Sequence, residues 1–422
     1  ATSTVITERK ITYDNVSFGQ TLQGNPTKEE YLITSGSYAS TTKTYNSYGL
    51  LLSERDPNAN QSTYTYDSIN LHVATSTNAL SQSTDFYYDY TNGKPKKIVD
   101  PNGEIRETVY DGLDRVIAEK APEPIAGAQI TTKTIGYTDS QSQFAIGQTD
   151  YLSGSLSRDS WTYLDGLGRT IQTRSRAEEQ GSPTYVVNDV IYDLRGRTQK
   201  ASLPYFGTGA STTPPTTTAA LFTSYGYDAL NRATSTTDAL GITTISYDQW
   251  KEAIIDPKSN QKILGRDAFG RLNRVEEYLT STSSPYLTSY EWSGIGNLTE
   301  ITDANGNVRH FTYDNLGRRT FMEDLHVSSD NSFGTTTFAY DLAGNLIQKQ
   351  TPNSETINYT YDVLNRPLTE DFTGQAGTEV TYGYDSCTHG TGRLCTFTNY
   401  AEIRANTYDF AGNIKTEAKT IW

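Results

Sequence analysis

The feature that most constrains this chain is a short motif that recurs along its whole length. Tyr-Asp is followed, three residues after the Asp, by Gly or Asn and then by Arg or Asn, as in Tyr-Asp-Asn-Leu-Gly-Arg at 313–318. Well-spaced neighbours such as Tyr340 and Tyr361 lie 21 residues apart. A unit that repeats at a fixed period predicts an array of adjacent supersecondary units. We therefore expect a single continuous repeat array over residues 1–422, forming a segment of a longer protein.

The clearest copies define the residues that we predict to be the structural positions of the repeat. They are Tyr66, Asp67, Tyr110, Asp111, Tyr192, Asp193, Gly196, Arg197, Tyr227, Asp228, Arg232, Tyr313, Asp314, Gly317, Arg318, Tyr340, Asp341, Gly344, Tyr361, Asp362, Arg366, Tyr408, Asp409 and Gly412. An Asp at the start of a turn caps the following backbone amides, and the Arg four residues later can pair with it. If exposed, such a pair contributes roughly 0–1 kcal/mol. We interpret these carboxylates as turn caps rather than catalytic groups.

A second turn signal lies midway through many units, as in Asp-Pro-Asn-Gly at 100–103 and Asp-Ala-Asn-Gly at 303–306. Two turns per unit predict a β-hairpin with strands of roughly seven to ten residues. Aromatic residues alternate at the strand ends, as at Phe311 and Tyr313, which places both rings on one face of a strand. The fold class is therefore predicted to be all-β, with the rings of neighbouring hairpins lined into stripes.

Composition excludes several classes of function. The net charge is −14, with 35 Lys and Arg against 49 Asp and Glu, which argues against a nucleic-acid partner. There is no run of 18 apolar residues to span a membrane. Tyr outnumbers Phe by 31 to 13 within a hydrophobic content of 35%, which favours an extended, wet β surface over a thick core. The scarcity of Cys and the Thr- and Ser-rich strands fit a secreted or cell-surface protein.

The two cysteines, Cys387 and Cys395, flank a Gly-rich stretch at 388–392 where a hairpin brings two strands together. This spacing favours a cross-strand disulfide. Two free thiols, or a weak metal site that includes His389, are the alternatives. A catalytic Cys-His pair is disfavoured because no third group is placed to orient it.

Two stretches interrupt the rhythm of the repeat, near 119–160 and 203–224. The first contains strand-like segments at 130–137 and 144–151, which predict an extra irregular hairpin. The second is rich in Thr and Pro and is predicted to be a long exposed loop.

No familiar catalytic or cofactor-binding motif is present in the sequence. There is no phosphate-binding loop, dinucleotide fingerprint or Gly-x-Ser-x-Gly elbow. The calcium-like start at Asp303 lacks the Gly and Glu that such a loop requires, since Val308 and Asp314 occupy those positions. We assign no catalytic, cofactor-binding or metal-binding residue and expect no enzyme activity.

The repeated Tyr-Asp-x-x-Gly-Arg motif with its following Asp-Pro-x-Gly resembles the Rhs or YD-repeat family over nearly the whole chain. The segments at 163–172, 187–197 and 203–206 look like the middle of bacterial toxin-complex B/C shell proteins. The resemblance implies hairpins wound into a spiral sheet that closes into a hollow cocoon around a toxin. Teneurin-like relatives use a similar barrel for adhesion. No closing core segment of that family is found after Tyr408, and no self-cleavage residues can be assigned. The chain is also too short for a complete cocoon of that family, so the resemblance implies one wall of a cocoon.

The first functional expectation is a non-catalytic shell that encloses a toxin or effector cargo in a secreted bacterial protein. Its expected partners are the remainder of its own chain or a companion shell protein, the cargo, and further copies paired through open strand edges. The alternative is an extracellular adhesion or surface-fibre protein that binds glycans through exposed Tyr.

Overall fold

A computed structural model describes residues 7–34, 36–140, 143–153, 156–177, 184–209, 221–279, 283–330 and 332–422. In these ranges the regular secondary structure is entirely β, in 36 strands. The predicted all-β fold class is confirmed. The described residues contain no helix that is long and apolar enough to cross a membrane.

The first part of the sheet contains β1 Arg9–Tyr13, β2 Pro26–Thr34, β3 Ser37–Tyr45, β4 Leu51–Arg55, β5 Gln61–Tyr66, β6 Val73–Thr77, β7 Ser83–Asp89, β8 Lys94–Val99, β9 Ile105–Tyr110, β10 Val116–Pro122, β11 Gln129–Ser140, β12 Gln143–Ser153, β13 Leu156–Leu164, β14 Thr170–Arg176 and β15 Thr184–Tyr192. The middle part contains β16 Thr198–Ser202, β17 Tyr205–Thr208, β18 Phe222–Tyr227, β19 Ala233–Asp238, β20 Gly241–Asp248, β21 Lys251–Ile255, β22 Gln261–Arg266, β23 Leu272–Tyr278, β24 Tyr286–Trp292, β25 Leu298–Thr302 and β26 Asn307–Tyr313. The last part contains β27 Arg319–Glu323, β28 His326–Val327, β29 Thr335–Tyr340, β30 Leu346–Gln350, β31 Thr356–Tyr361, β32 Pro367–Phe372, β33 Val380–Tyr384, β34 Leu394–Asn399, β35 Glu402–Tyr408 and β36 Ile414–Ile421.

Almost every strand pairs antiparallel with the next strand along the chain, so the fold is one long meander. The sheet is staggered at two points, where one strand faces two successors. β15 pairs with β16 through its last residues and with β17 through its first residues. In the same way, β26 pairs with β27 and with the short β28. At each of these two points, two shorter strands share the edge of one longer strand. The sheet then continues from the first of the two shorter strands.

The hairpin turns explain why the repeat motif has its particular length. In the turn at 314–317, the amide of Gly317 donates to the carbonyl of Asp314 at 3.0 Å, and Gly317 has a φ of 76°. A β-turn that ends in a left-handed residue shifts the register of the pair by one residue. That shift is present between Thr312 and Tyr313, and it recurs just before the motif Tyr of many hairpins. Gly or Asn at this position therefore sets the strand register as well as turning the chain.

More than half of the described strands contain six residues or fewer, so the predicted length of roughly seven to ten is wrong for most of the sheet. The reason is that the motif residues from Asp to Arg lie in the turn, and the returning strand starts after the Arg. In the hairpin that follows Tyr192, for example, β16 begins at Thr198.

The two irregular stretches are more ordered than predicted. The strand-like segments of the first form a regular hairpin, in which β11 and β12 pair over eight residues without a register shift. The second is not a loop throughout, because Tyr205–Thr208 forms β17 and Phe222–Tyr227 forms β18. The predicted loop at 210–220 lies outside the described residues. β17 forms because it lies beside β15. Its backbone pairs with the residues of that longer strand that β16 does not reach.

Burial is concentrated where β13, β14 and β15 adjoin, and the rest of the sheet is thinly covered. Tyr163, Gln172, Val187 and Asp189 are fully buried there. The carboxylate of Asp189 accepts hydrogen bonds of 2.7 Å from Gln172 Nε2 and from the Tyr205 hydroxyl. Burial, together with this bond to Asp189, raises the pKa of Tyr205 to about 12. This polar network fastens β17 to the sheet.

Gly136 and Gly147 lie opposite each other in the β11–β12 hairpin and allow a test of local packing. A Cβ at Gly147 would lie 2.6 Å from Cζ3 of Trp161, whereas a Cβ at Gly136 would meet no atom within 4 Å. We expect Gly147→Ala to lower the free energy of unfolding by about 1–3 kcal/mol, because the Trp161 ring must move. Gly136→Ala is the matched control and should be nearly neutral. Equal urea midpoints for the two variants would contradict this packing.

Candidate functional site

The turn module is the chemical unit that recurs along the chain, and the copy at 192–197 shows its geometry. The Oδ1 of Asp193 accepts the backbone amides of Arg195 at 2.9 Å and Arg197 at 3.0 Å. The Oδ2 of the same carboxylate accepts Nε of Arg197 at 2.7 Å. Both carboxylate oxygens are thus used inside the turn, and the cap satisfies amides that the tight turn leaves without a backbone partner.

Asn replaces Arg in other copies and makes the equivalent contact. The Nδ2 of Asn345 donates to Oδ2 of Asp341 at 2.7 Å. The second kind of turn has the same contact, since Nδ2 of Asn307 donates to Oδ2 of Asp303 at 2.8 Å. This explains why the last position of the motif accepts either residue. The calcium-like segment at Asp303 is therefore one more turn module, with its carboxylate engaged by its own chain.

Each module is also locked to the next one along the chain. The guanidinium of Arg197 lies 4.5 Å from the ring centroid of Tyr227, and its Nη1 donates to the carbonyl of Asp228 at 3.2 Å. In return, the Tyr227 hydroxyl donates to the carbonyl of Thr198 at 2.8 Å. The Arg169–Tyr192, Arg232–Tyr247 and Arg318–Tyr340 pairs have the same arrangement. The predicted stripe of rings is therefore largely a stripe in which Arg lies over Tyr, a contact that is favourable between a cation and a π face.

The modules place two kinds of turn on opposite edges of the sheet, which we call the Tyr-Asp rim and the opposite rim. The Tyr-Asp rim includes the turns at 46–49, 67–70, 89–93, 111–114, 165–168, 193–196, 228–231, 267–270, 293–296, 314–317, 341–344, 362–365, 385–393 and 409–412. The opposite rim includes the turns at 56–59, 78–81, 100–103, 256–259, 303–306 and 351–354. Because consecutive strands are antiparallel, the two kinds of turn alternate along the chain.

The two rims meet in a seam between distant parts of the chain. Asn58 Nδ2 donates to Asp341 Oδ2 at 2.8 Å, across 283 residues of sequence. Asn102 and Thr391 exchange two hydrogen bonds of 3.0 Å, across 289 residues. Arg106 reaches the carbonyl of Ala411 at 3.1 Å. The opposite rim of the first part of the sheet thus lies against the Tyr-Asp rim of the last part, so the sheet winds back onto itself.

A buried ion pair lies in the middle of this seam. The Glu104 side chain is 2% exposed, and its Oε2 is 3.0 Å from Nη2 of Arg393. Nδ1 of His389 lies 3.4 Å from Oε1 of the same carboxylate. The Phe410 ring packs beside His389, with ring centroids 4.2 Å apart, and a Cβ at Gly127 would lie 2.8 Å from Cδ1 of the Phe410 ring. The seam therefore combines charge pairing with close packing.

A disulfide braces the loop that carries the seam contacts. Cys387 and Cys395 are bonded, and Gly390 packs so closely that a Cβ there would lie 2.4 Å from Sγ of Cys387. The bond spans His389, Thr391 and Arg393, which contact the first part of the sheet. In the described part of the chain, no group of three or more His, Cys, Asp or Glu side chains is placed to hold a metal.

The predicted repeat residues are spread along one rim and do not converge on a pocket. The described Tyr-Asp pairs lie at strand ends, as the motif predicts, and their carboxylates cap turns. Sequence reasoning missed the seam residues Asn58, Asn102 and Glu104. The Asn of the Asp-Pro-Asn segments is visible in the sequence, but turn formation alone accounts for it. It therefore gave no reason to predict a long-range contact. The buried Gln172 and Asp189 were also missed, because a polar residue in a strand is normally expected to face water.

Comparison with known proteins matches this architecture. Residues 292–320 match the RHS Repeat family, and residues 133–249 match a domain of unknown function, DUF6443. The chain thus contains a segment, residues 292–320, that matches the Rhs repeat. The solved TcdB2-TccC3 structure is similar to 99% of this chain with a TM-score of 0.74 and 14% identity. The Tc holotoxin pore from Photorhabdus luminescens with the TccC3-D651A mutation is similar to 99% of it, with a TM-score of 0.78 and 12% identity.

These likenesses establish the fold. The chain spans 30% and 29% of the length of those two solved chains. No curated protein matches it.

The turn modules predict that the protein loses stability in acid. The Arg169 hydrogen bond and the backbone amides hold the pKa of Asp165 below its ordinary value, and the amide and side chain of Arg232 do the same for Asp228. A lowered carboxyl pKa contributes stability that is present above the unfolded value of about 4 and is lost as pH falls through the folded value. We expect the urea midpoint, followed by circular dichroism, to fall steeply below about pH 4. Asp228→Asn should make the urea midpoint fall less steeply with decreasing pH. Equal urea midpoints of the wild-type chain at pH 7 and pH 3 would contradict the role of the caps.

The seam predicts a local effect of removing one buried charge. Glu104→Gln keeps the side-chain shape but presents a neutral amide to Arg393 and His389. We expect the free energy of local opening at the Thr391 amide to fall by about 1–3 kcal/mol, measured by hydrogen exchange. Glu107→Gln is the matched control, since Glu107 is more exposed and lies 3.6 Å from Lys120 within one hairpin. Similar Thr391 exchange in both variants would show that the ion pair does not hold the seam.

Proposed function

We propose that this chain is a wall segment of a hollow, non-catalytic shell that encloses a toxin or effector segment in a secreted bacterial protein. In this proposal residues 1–422 form one continuous repeat array within a longer protein. The observation that carries the proposal is the seam, because it joins one winding of the sheet to the next.

The seam supports the role of a wall because the residues that it joins are separated by similar numbers of residues along the chain. The amide of Asn315 donates to the carbonyl of Ile33, and Asn365 contacts Asp56, so partners are separated by 282 to 309 residues. Contacts at a nearly constant separation are those of a spiral that gains one winding in about 290 residues. A spiral whose successive windings are joined by hydrogen bonds and ion pairs separates the space on its two sides.

The thin core supports the same role. The buried apolar residues among the described ones are few for a chain of 422 residues, and many of the sheet's side chains are only half-buried. The described carboxylates of the repeat have structural partners within turns. The resemblance to Tc toxin components extends over 99% of the chain, which supports a companion shell protein and a cargo as its partners.

The experiment that tests this function uses the complete protein produced from its own gene. We expect electron cryomicroscopy to show a closed cavity that contains density, and we expect the enclosed segment to resist protease. The double variant Asn102→Ala/Glu104→Ala should make that segment protease-sensitive while the circular dichroism of the wall is retained.

Glu107→Ala is the control and should leave the enclosed segment protected. A sheet that stays open, or a filament without internal density, would overturn the shell and support the adhesion alternative.

A further inference from the structure

One turn of the Tyr-Asp rim, residues 385–393, is longer than most turns of that rim, and we call it the long turn. In the usual module the Asp and the Arg of the motif are four residues apart, as Asp193 and Arg197 are. In the long turn the corresponding residues, Asp385 and Arg393, are eight residues apart. The additional length lies in the part of the rim that reaches across the seam.

The charged residues of the long turn have partners outside it. In the usual module, Arg pairs with the Asp of its own turn and so closes the turn. Here Asp385 accepts Nη2 of Arg366, from the preceding module, at 2.6 Å. Arg393 instead pairs with the buried Glu104 on the other side of the seam, at 3.0 Å. The longer turn thus directs the charge that closes a shorter turn to the seam.

The disulfide provides the closure of the long turn. It joins Cys387, within the turn, to Cys395, in the strand that follows, with their Cα atoms 5.5 Å apart. The amide of Cys387 also donates to Sγ of Cys395 at 3.0 Å. A Cβ at Gly390 would lie within 2.6 Å of both sulfurs, so the backbone there rests on the bond. The neighbours of Gly390, His389 and Thr391, make contacts across the seam.

The two sulfurs differ in their access to solvent, which indicates where a reductant would attack. Cys395 is 1% exposed, whereas Cys387 is partly exposed. Exchange begins when a thiolate of the reductant attacks one sulfur of the bond, here Sγ of Cys387, and Cys395 leaves as a thiolate that takes up a proton. A second thiol of the reductant then releases Cys387. The protein gains two electrons and two protons, and the reductant becomes a disulfide.

We propose that the Cys387–Cys395 bond is a redox switch for the seam, opened by a thiol reductant of low molecular weight. In the oxidised protein the bond holds the long turn against Asn102 and Glu104. In the reduced protein the long turn has lost its closure, and its contacts across the seam open before the rest of the sheet. Disulfides persist outside cells and are reduced in the cytosol. The switch itself concerns the seam, and only its use in releasing a cargo rests on the proposed function.

The test follows Glu104, because it lies across the seam and its side chain is 2% exposed. A water-soluble carbodiimide labels accessible carboxylates, and peptide mass spectrometry of the complete protein gives the labelling rate with and without dithiothreitol. We expect reduction to raise the rate at Glu104 roughly ten- to one-hundredfold, the range that loop-closure entropy gives for a crosslink of this span. Asp189, which is fully buried within β15, reports global unfolding and should stay protected.

A variant without the bond gives an independent measurement. In Cys387→Ser/Cys395→Ser, Glu104 should be labelled rapidly without reductant, and dithiothreitol should change nothing further. Circular dichroism should match that of the wild type, because the strand pairing of the sheet does not depend on the bond. Alkylation of the wild-type protein before denaturation counts the cysteines that dithiothreitol has reduced in the folded state.

Three results would overturn the inference. They are a bond that dithiothreitol reduces only in denaturant, equal labelling of Glu104 in the oxidised and reduced protein, and equal gains in labelling at Glu104 and Asp189. If reduction exposes Glu104 but the complete protein encloses no segment, the shell is contradicted and the switch stands. If a segment is enclosed but Glu104 stays protected after reduction, the switch is contradicted and the shell stands.

Discussion

The structure depends on a carboxylate that is satisfied within four residues of its own chain. One Asp oxygen accepts two backbone amides of the turn, and the other accepts Arg or Asn at the end of the motif, as in Asp193 with Arg197. This cap holds a turn whose left-handed residue shifts the strand register by one. The cap is local, so it can form in each hairpin as soon as that hairpin exists. A long meander with few buried side chains can therefore keep its register without a thick core.

The second layer of organisation is the coupling between neighbouring modules. Arg197 reaches from its own turn to the ring and backbone of the next module, and the Tyr227 hydroxyl reaches back. Each bond of this kind is modest, but it recurs along the sheet. Because the contact recurs from one module to the next, the turns lie in a row along one edge of the sheet. The seam uses that edge, since it joins rim to rim through a few side chains such as Asn102 and Glu104.

The sequence predicted the parts of the fold that short-range chemistry controls. The all-β class, the hairpins and the Rhs resemblance followed from the motif and its spacing. Strand lengths were overestimated, because the pattern does not show that the motif's Arg belongs to the turn. The Pro and Thr content of the stretch near 203–224 predicts a loop and hides the four residues of β17. That strand exists because β15 has backbone groups to pair, and this information lies outside the segment itself.

The candidate site likewise has one part that the sequence determines and one part that only the tertiary structure decides. The sequence by itself determined the repeat, the turn caps and the alternation of two kinds of turn, because each depends on residues within about one hairpin. Only the tertiary structure decided that Glu104 meets Arg393 and that Asn102 meets Thr391, across 289 residues. The curvature that brings them together is the sum of small twists over more than twenty strands. No local pattern encodes that sum, so the seam became visible only in three dimensions.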